Sequence, residues 1–428
     1  LGYPQPDRKY EVAERGVTVA VEHSRARNRA TLLDLINLNG GMTTAELAEK
    51  SKLSRATVGE ILRDFEREGL INRKTDHEAA RDARGRPPSL IVPADVGRFT
   101  LCLDVGHFRL RGAVFAPDGE LIEDLNPRDS HVLEALAFPA VLKRIHESAK
   151  KLLASAGLKP KEIRGIAVSL PAAIHKTGAL ANRKAFESWP RVPQLVVKDS
   201  FRQKFGRLPV LVANDVNLCL LGEQRLGSAR GVSDVLFIKA TTGYGCALLS
   251  RGELHEGFNG IAGQIGHLLT TDQFDHSDVH ELCETCGQRG CLKNVASTDA
   301  IVANVRRLKM EAGKHSAEDD LVLGIGEVID LALYSDDFEC KKAIERAGRY
   351  LGMAIRHLVQ WADPELVLVG GVLSRAGDVL LDEIRDEFLV DAKRYPGRER
   401  RISRVADYEK SALYGGFVAV QDRLLSSG

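Results

Sequence analysis

The spacing of apolar residues changes character twice along the chain. Residues 1 to about 24 are polar and show no clear periodicity, as expected of an arm or a partly disordered segment. From Arg27 to about Pro93 the apolar positions recur at helical spacing. The stretch NRATLLDLINLNGG sets Leu32, Leu35, Ile36 and Asn39 on one face and stops at Gly40–Gly41. Thr43 and Glu46 have the spacing of a capping box, opening a second helix that ends in a tight turn at Ser51–Leu53. Ser54 then caps a third helix, on which Val58, Ile61, Leu62 and Phe65 fall at i, i+3, i+4 and i+7 and so face a core. Gly69 ends it. Two short strands, in LINRKTD and PSLIVP, follow around a charged loop. Three short helices, a four-residue turn before the third, and a two-stranded appendage predict a winged helix-turn-helix over residues 25–93.

From Phe99 the pattern becomes alternating strands and helices. FTLCLDV, LRGAVFA and GELIED predict a meander with a hairpin turn at Asp118–Gly119, and a long helix follows from about Pro139 to Ala156. IRGIAVSL, PVLVAND, VLFIKATTGYG and ELVLVGGVLS are short apolar strands that end in Gly, Asn or Asp, and the last third of the chain is mostly helical. Strands whose C-terminal ends carry polar, Gly-rich loops predict an α/β fold with its site at those ends.

Composition narrows the class. At 428 residues the chain is too long for one core. No apolar run is long enough to span a bilayer and no secretory h-region opens the chain, so the expected location is cytoplasmic. The formal net charge of +1 gives no global basic field, so any DNA contact must be local. The exposed side of the third helix carries Arg55, Thr57, Glu60, Arg63 and Arg67, side chains able to reach bases and phosphates. Glu60, Asp64, Glu66 and Glu68 nearly balance them, so charge alone leaves a protein-contact bundle open. The compact basic turn Arg84-Gly85-Arg86-Pro87 adds arginines suited to a narrow minor groove.

Of the seven cysteines, Cys102, Cys219, Cys246 and Cys340 occupy apolar or helical positions and read as small buried hydrophobes. Cys283, Cys286 and Cys291 lie together, and in a reducing compartment such a cluster points to metal. With His267 upstream they make up three thiolates and one imidazole, a closed tetrahedral set for structural Zn2+. Gly287 and Gly290 permit the tight turn between them.

The string LVANDVNLCLLGEQRLGSARGVSDVLFIKATTGYGCALLSRGELHEGFNGIAGQIGHLLT resembles the ROK family (repressors, open reading frames, kinases). CGQRGCLKNVAS, and the helix-turn-helix with RGRP ahead of the first strand, support the resemblance, which covers about Arg27 to Phe417. It implies a two-lobed actin-like/sugar-kinase fold built of ribonuclease-H-like lobes. The first lobe is expected over 98–212 plus 410–428, and the second, with the zinc site and a dimerisation surface, over 213–409. It places the chain with the members that carry a winged helix and act as transcriptional regulators. These are expected to be homodimers, or dimers of dimers, on double-stranded operator DNA.

The resemblance also implies a sugar site. Asn214 and Asp215 are expected to face the sugar, and in the kinases the residue matching Asp215 is the general base. The same pair after a strand also reads as a helix cap at Asp215. Gln264 and Lys293 stand where the family usually has glutamates, His267 is shared with the zinc set, and Asn182 is a further expected sugar contact. For the zinc set the family usually has one residue between the first two cysteines, where this chain has two, and His276 and His280 are alternatives to Cys283. Lys293 suits an effector with a carboxylate or phosphate, or an ion pair with Asp215 that fills the cleft.

The kinases' first phosphate loop, Asp-x-Gly-Gly-Thr-Lys, becomes Asp104-Val105-Gly106-His107-Phe108-Arg109. The second, GTGIGGG, becomes Thr241-Thr242-Gly243-Tyr244-Gly245-Cys246-Ala247, while Gly370–Gly371 keep part of the adenosine side. A phosphate cradle needs close backbone approach, so these changes predict a sugar-responsive repressor of carbohydrate genes and no enzyme. The alternative is a sugar kinase that phosphorylates a monosaccharide with ATP and carries an accessory DNA-binding domain.

Overall fold

The computed structural model describes most of residues 25–426. Outside the described set lie 1–24, 26–27, 30, 34, 38, 40, 68–69, 76–88, 95–98, 107–108, 126–137, 175–193, 207, 270–281, 285, 315–322, 393–400 and 427–428.

The N-terminal unit follows its sequence pattern. Thr43 Oγ1 accepts from the Glu46 amide at 3.3 Å and Glu46 Oε2 accepts from the Thr43 amide at 2.8 Å, the reciprocal box that opens the Thr44–Ser51 helix. Lys52, at φ 58°, ends it in the left-handed region. Ser54 Oγ accepts from the Thr57 amide at 3.1 Å and starts the Arg55–Arg67 helix. Val58, Ile61, Leu62 and Phe65 are buried against Leu32, Leu33, Ile36 and Leu47. One detail differs from expectation. Asn39 is exposed and its side-chain amide closes the preceding helix on the Leu35 carbonyl at 2.7 Å, because a polar residue at a helix end does more there than in a core; Leu33 lies on the buried face instead. The wing consists of β2 (Ile71–Thr75) and β3 (Ser89–Pro93), antiparallel, with β1 (Met42–Thr43) on the other side of β3.

Two five-stranded sheets follow. The first has the order β6-β5-β4-β7-β8, from β4 (Phe99–Val105), β5 (Leu110–Phe115), β6 (Leu121–Asp124), β7 (Ile163–Leu170) and β8 (Val210–Asn214). The second has the order β11-β10-β9-β12-β13, from β9 (Val235–Ala240), β10 (Tyr244–Ser250), β11 (Glu253–Leu254), β12 (Leu366–Gly370) and β13 (Arg401–Arg404). Each sheet is an antiparallel meander of its first three strands, with the next two parallel to the first. The same topology therefore occurs twice. The first sheet extends to Asn214, two residues past the expected boundary at 212, because Leu170 still pairs with Asn214.

Alternation along the strands divides each sheet between two cores. In β9, Leu236, Ile238 and Ala240 face the cluster that holds the Phe338–Ala362 helix, whereas Val235 and Phe237 face the Asp215–Arg225 helix. In the first sheet one face packs on the Phe138–Ser155 and Gln194–Phe205 helices, and the other on the C-terminal Ser411–Ser426 helix. The Asp215–Arg225 and Ser411–Ser426 helices cross between the sheets. Their backbones meet so closely that a Cβ on Gly415 would lie 1.7 Å from the Leu218 carbonyl oxygen, and one on Gly222 2.3 Å from that of Ser411. Glycine is required at this joint. Among the described residues no helix is long and apolar enough to cross a membrane.

Candidate functional site

The carboxyl ends of the central strands of both sheets carry the polar residues of the cleft. Asp104, near the end of β4, is buried; its Oδ1 accepts from Ser169 Oγ at 2.6 Å and its Oδ2 from Arg111 Nη1 at 3.2 Å. Arg111 extends to Glu409 at 3.5 Å. Gly106 donates its amide to the Arg109 carbonyl at 2.8 Å, closing the turn after β4 on itself. His107 and Phe108 lie outside the described residues.

Asn214 ends β8 and Asp215 follows it, and here one expectation is corrected. The helix cap is Asn214, whose Oδ1 accepts from the amides of Val216 at 3.0 Å and Asn217 at 3.1 Å. Asp215 is the first helical residue, so its carboxylate is free of the cap role and sits beside the positive end of the helix dipole. Asp215 Oδ1 accepts from the Val216 amide at 2.9 Å and from Asn214 Nδ2 at 3.2 Å. Its Oδ2 is 2.6 Å from Lys239 Nζ.

Lys239 was not among the expected site residues. The cation on Asp215 is Lys239, not Lys293, because Lys239 emerges from β9 on the face toward the Asp215–Arg225 helix, whose first residue is Asp215. Its ladder neighbours are Gly245 and Gly370, so no adjacent side chain blocks its path. Burial works against its charge, but the nearby Asp215 carboxylate, with Asp104 beyond it, holds the Lys239 pKa above the ordinary lysine value. Burial likewise pushes the Cys219 thiol, next to this pair, up to about 12. A lone charge within the apolar strand VLFIKA was the available signal for Lys239, since a charge on a buried strand needs a partner.

The second loop is ordered by its own contacts. Thr241 donates its amide to the Gly243 carbonyl at 3.0 Å, and the Tyr244 ring is buried in the second core with its hydroxyl on the Ala296 carbonyl. Gly371, at φ 86°, approaches β9 so closely that a Cβ there would lie 2.3 Å from the Ala240 carbonyl oxygen. Gln264 is exposed just before the Ile265–His267 turn, and Lys293 lies in the Leu292–Ala296 helix with its Cβ against Gly266. Asn182, Arg84 and Arg86 lie outside the described residues, as do His276 and His280.

His267, Cys283, Cys286 and Cys291 converge, with one donor atom from each within 4.8 Å of the others. Cys283 Sγ is 3.5 Å from His267 Nδ1, and the Cys286 and Cys291 sulfurs are 3.3 Å apart. Gly287, at φ 71°, donates its amide to the Cys283 carbonyl at 2.7 Å, closing the turn that carries Cys283 and Cys286. An isolated bridge between Leu269 and Cys291 fixes the other end. Burial, then the Lys293 charge, lower the His267 pKa and favour the neutral imidazole that a metal needs. Tetrahedral zinc with thiolates at about 2.3 Å separates sulfurs by about 3.8 Å, which these positions accommodate with small shifts.

On the winged helix, Arg55, Glu60, Arg63 and Arg67 are exposed and Thr57 is half-buried beside the Ser54 cap. The charges are not equivalent. Asp64 collects Arg25 at 2.8 Å, Arg67 at 3.3 Å and Arg29 at 3.6 Å, and Glu60 faces Arg25 at 3.4 Å. Among the described residues, Arg55 and Arg63 make no ion pair.

A winged helix ahead of two tandem ribonuclease-H-like sheets with a polar cleft between them defines the class: a sugar-kinase-like α/β protein with an N-terminal helix-turn-helix. Residues 100–423 match the ROK family and residues 27–82 the MarR family, and the chain belongs to the ROK family. It is 28% identical over 341 residues to a glucokinase of Halalkalibacterium halodurans, an alignment spanning 76% of this chain and 96% of the relative. It is also 28% identical over 370 residues to a xylose repressor of Caldicellulosiruptor bescii, spanning 84% of this chain and 86% of the relative. A solved ROK family transcriptional regulator, described as a homolog of the Escherichia coli MLC protein, shares the fold. The TM-score is 0.74 at 24% identity, covering 95% of this chain and all of the other.

Proposed function

We propose that this protein is a transcriptional regulator, a repressor of carbohydrate genes, whose winged helix docks on operator DNA under control of a sugar bound between the lobes. The observation that carries this reading is the joining of a winged helix, whose Arg55 and Arg63 make no ion pair among the described residues, to a ROK fold whose Asp215 is held in an ion pair. The xylose repressor among its relatives supports it. Arg55, Thr57, Arg63 and, less directly, Glu60 and Arg67 face the DNA, with Arg84 and Arg86 of the wing entering a minor groove. A symmetric dimer would present two such helices to a palindromic site, in the cytoplasm.

Asn214, Asp215, Gln264, His267 and Lys293, with Asn182, form the effector site in this reading. His267, Cys283, Cys286 and Cys291 hold a structural Zn2+. It would cross-link the Ile265–His267 turn to the Leu292–Ala296 helix and so set the position of Gln264 and Lys293. Three thiolates leave that site with one net negative charge, which the neighbouring Lys293 offsets.

The second reading, a sugar kinase, is favoured by the glucokinase relative and by the presence of Asp215. Against it stand the Gly106 amide committed to Arg109, the buried Tyr244 and the Lys239 ammonium on the carboxylate that would act as base. The deciding experiment selects duplexes from a random DNA pool with the zinc-replete protein and then adds D-xylose, D-glucose or N-acetyl-D-glucosamine. Sequence-specific binding that a sugar alters, without sugar-dependent ATP consumption, is expected. Absence of any selected sequence, or ATP turnover abolished by Asp215→Ala, overturns the proposal.

A further inference from the structure

The Lys239–Asp215 pair is largely buried but not sealed from solvent: the two side chains are 21% and 10% exposed. An ammonium has three N–H donors, and among the described residues the only hydrogen bond from Lys239 goes to Asp215. Asp215 also has lone pairs beyond those met by Lys239, Val216 and Asn214. A donor-rich cation and an acceptor-rich anion therefore stand side by side, 2.6 Å apart, and partly open to solvent. Their charges cancel, so an anionic ligand gains nothing from Lys239 that Asp215 does not oppose.

We infer that Lys239 is a ligand-contacting, specificity-determining residue, which with Asp215 reads two adjacent oxygens of a neutral sugar. One hydroxyl donates to Asp215, and the oxygen on the neighbouring carbon accepts from the Lys239 ammonium. Vicinal hydroxyls lie about a hydrogen-bond length apart, matching the separation of the two protein atoms. Such a site rejects an analogue that lacks the second oxygen, because the ammonium is then left short of an acceptor in a poorly hydrated position. The inference rests on the effector reading above and adds the residue that sets its stereochemical choice.

The test uses the full, zinc-replete chain and calorimetric titration with D-xylose, D-glucose and N-acetyl-D-glucosamine. The tightest of these is then compared with its monodeoxy analogues. The expected result is that one deoxy analogue binds the wild type at least tenfold more weakly than the parent sugar, and that Lys239→Met abolishes this difference. A purely structural lysine would weaken parent and analogue alike and leave their ratio intact. Lys239→Gln carries the same comparison if the methionine variant does not fold. A parent-to-deoxy ratio unchanged in the folded variant overturns the role of Lys239 while leaving the effector reading standing. Failure of all three sugars to bind the wild type overturns both.

Discussion

Replacing Arg55 and Arg63 with alanine tests the winged-helix interface at its unpaired charges. Both side chains are exposed and neither packs in the core formed by Val58, Ile61, Leu62 and Phe65, so the fold should change in stability by no more than about 0.5 kcal/mol. Each arginine that neutralises a phosphate releases condensed counterions, contributing about 0.9 to the slope of log K against log salt concentration. Two arginines per chain thus flatten that slope by about 2, and by about 4 for a pair of chains on a symmetric site. Arg67→Ala supplies the internal control. Its guanidinium is already 3.3 Å from Asp64, so removing it should change the slope by less than one. Fluorescence anisotropy of a labelled, selected duplex across a salt series measures all three proteins. A double variant with the wild-type slope, or an Arg67 variant as impaired as the double, refutes the assignment of these side chains.

Metal analysis should find about one zinc ion per chain, and Cys283→Ser should lower zinc retention on dialysis against a chelator together with the thermal midpoint; retention equal to wild type would remove Cys283 from the ligand set. Gly415→Ala should destabilise the protein by about 1–3 kcal/mol or more in denaturant titration, since the added Cβ meets the Leu218 carbonyl where the helices joining the two sheets cross. Burial, then the charges of Lys204 and Lys150, lower the His146 pKa to about 4. The unfolded chain takes up this proton near the ordinary histidine value, so the folded state loses stability as pH falls from about 6.5 towards 4, by about 3 kcal/mol in all. His146→Leu should flatten that loss in urea midpoints measured between pH 7 and 4.5, and an unchanged pH dependence would show that another group governs it.

Much of the architecture could be read from spacing alone. The i, i+3, i+4, i+7 series from Val58 to Phe65 could bury only one helical face, and Thr43 with Glu46 could close only a local box. The short apolar run VLFIKA predicted the strand that became β9, and the Cys283, Cys286 and Cys291 cluster predicted convergence because its turn is short. These features depend on residues a few positions apart, and backbone geometry relates such positions the same way in any fold.

Contacts between distant segments were not legible in this way. Asp215 and Lys239 are 24 residues apart, one opening a helix and the other within a strand, and a charge in a strand does not announce which carboxylate it will meet. Arg25 and Asp64 are 39 residues apart, so the division of the exposed arginines into paired and unpaired sets had no local signature. Even the neighbours Asn214 and Asp215 were distinguished only by the φ and ψ at which β8 hands over to its helix, which gives Asn214 the cap and turns Asp215 toward Lys239. Periodicity sorts side chains into faces; which face meets which is settled by the packing of two sheets about a glycine-lined helix crossing, and the chemistry of the cleft follows from that packing.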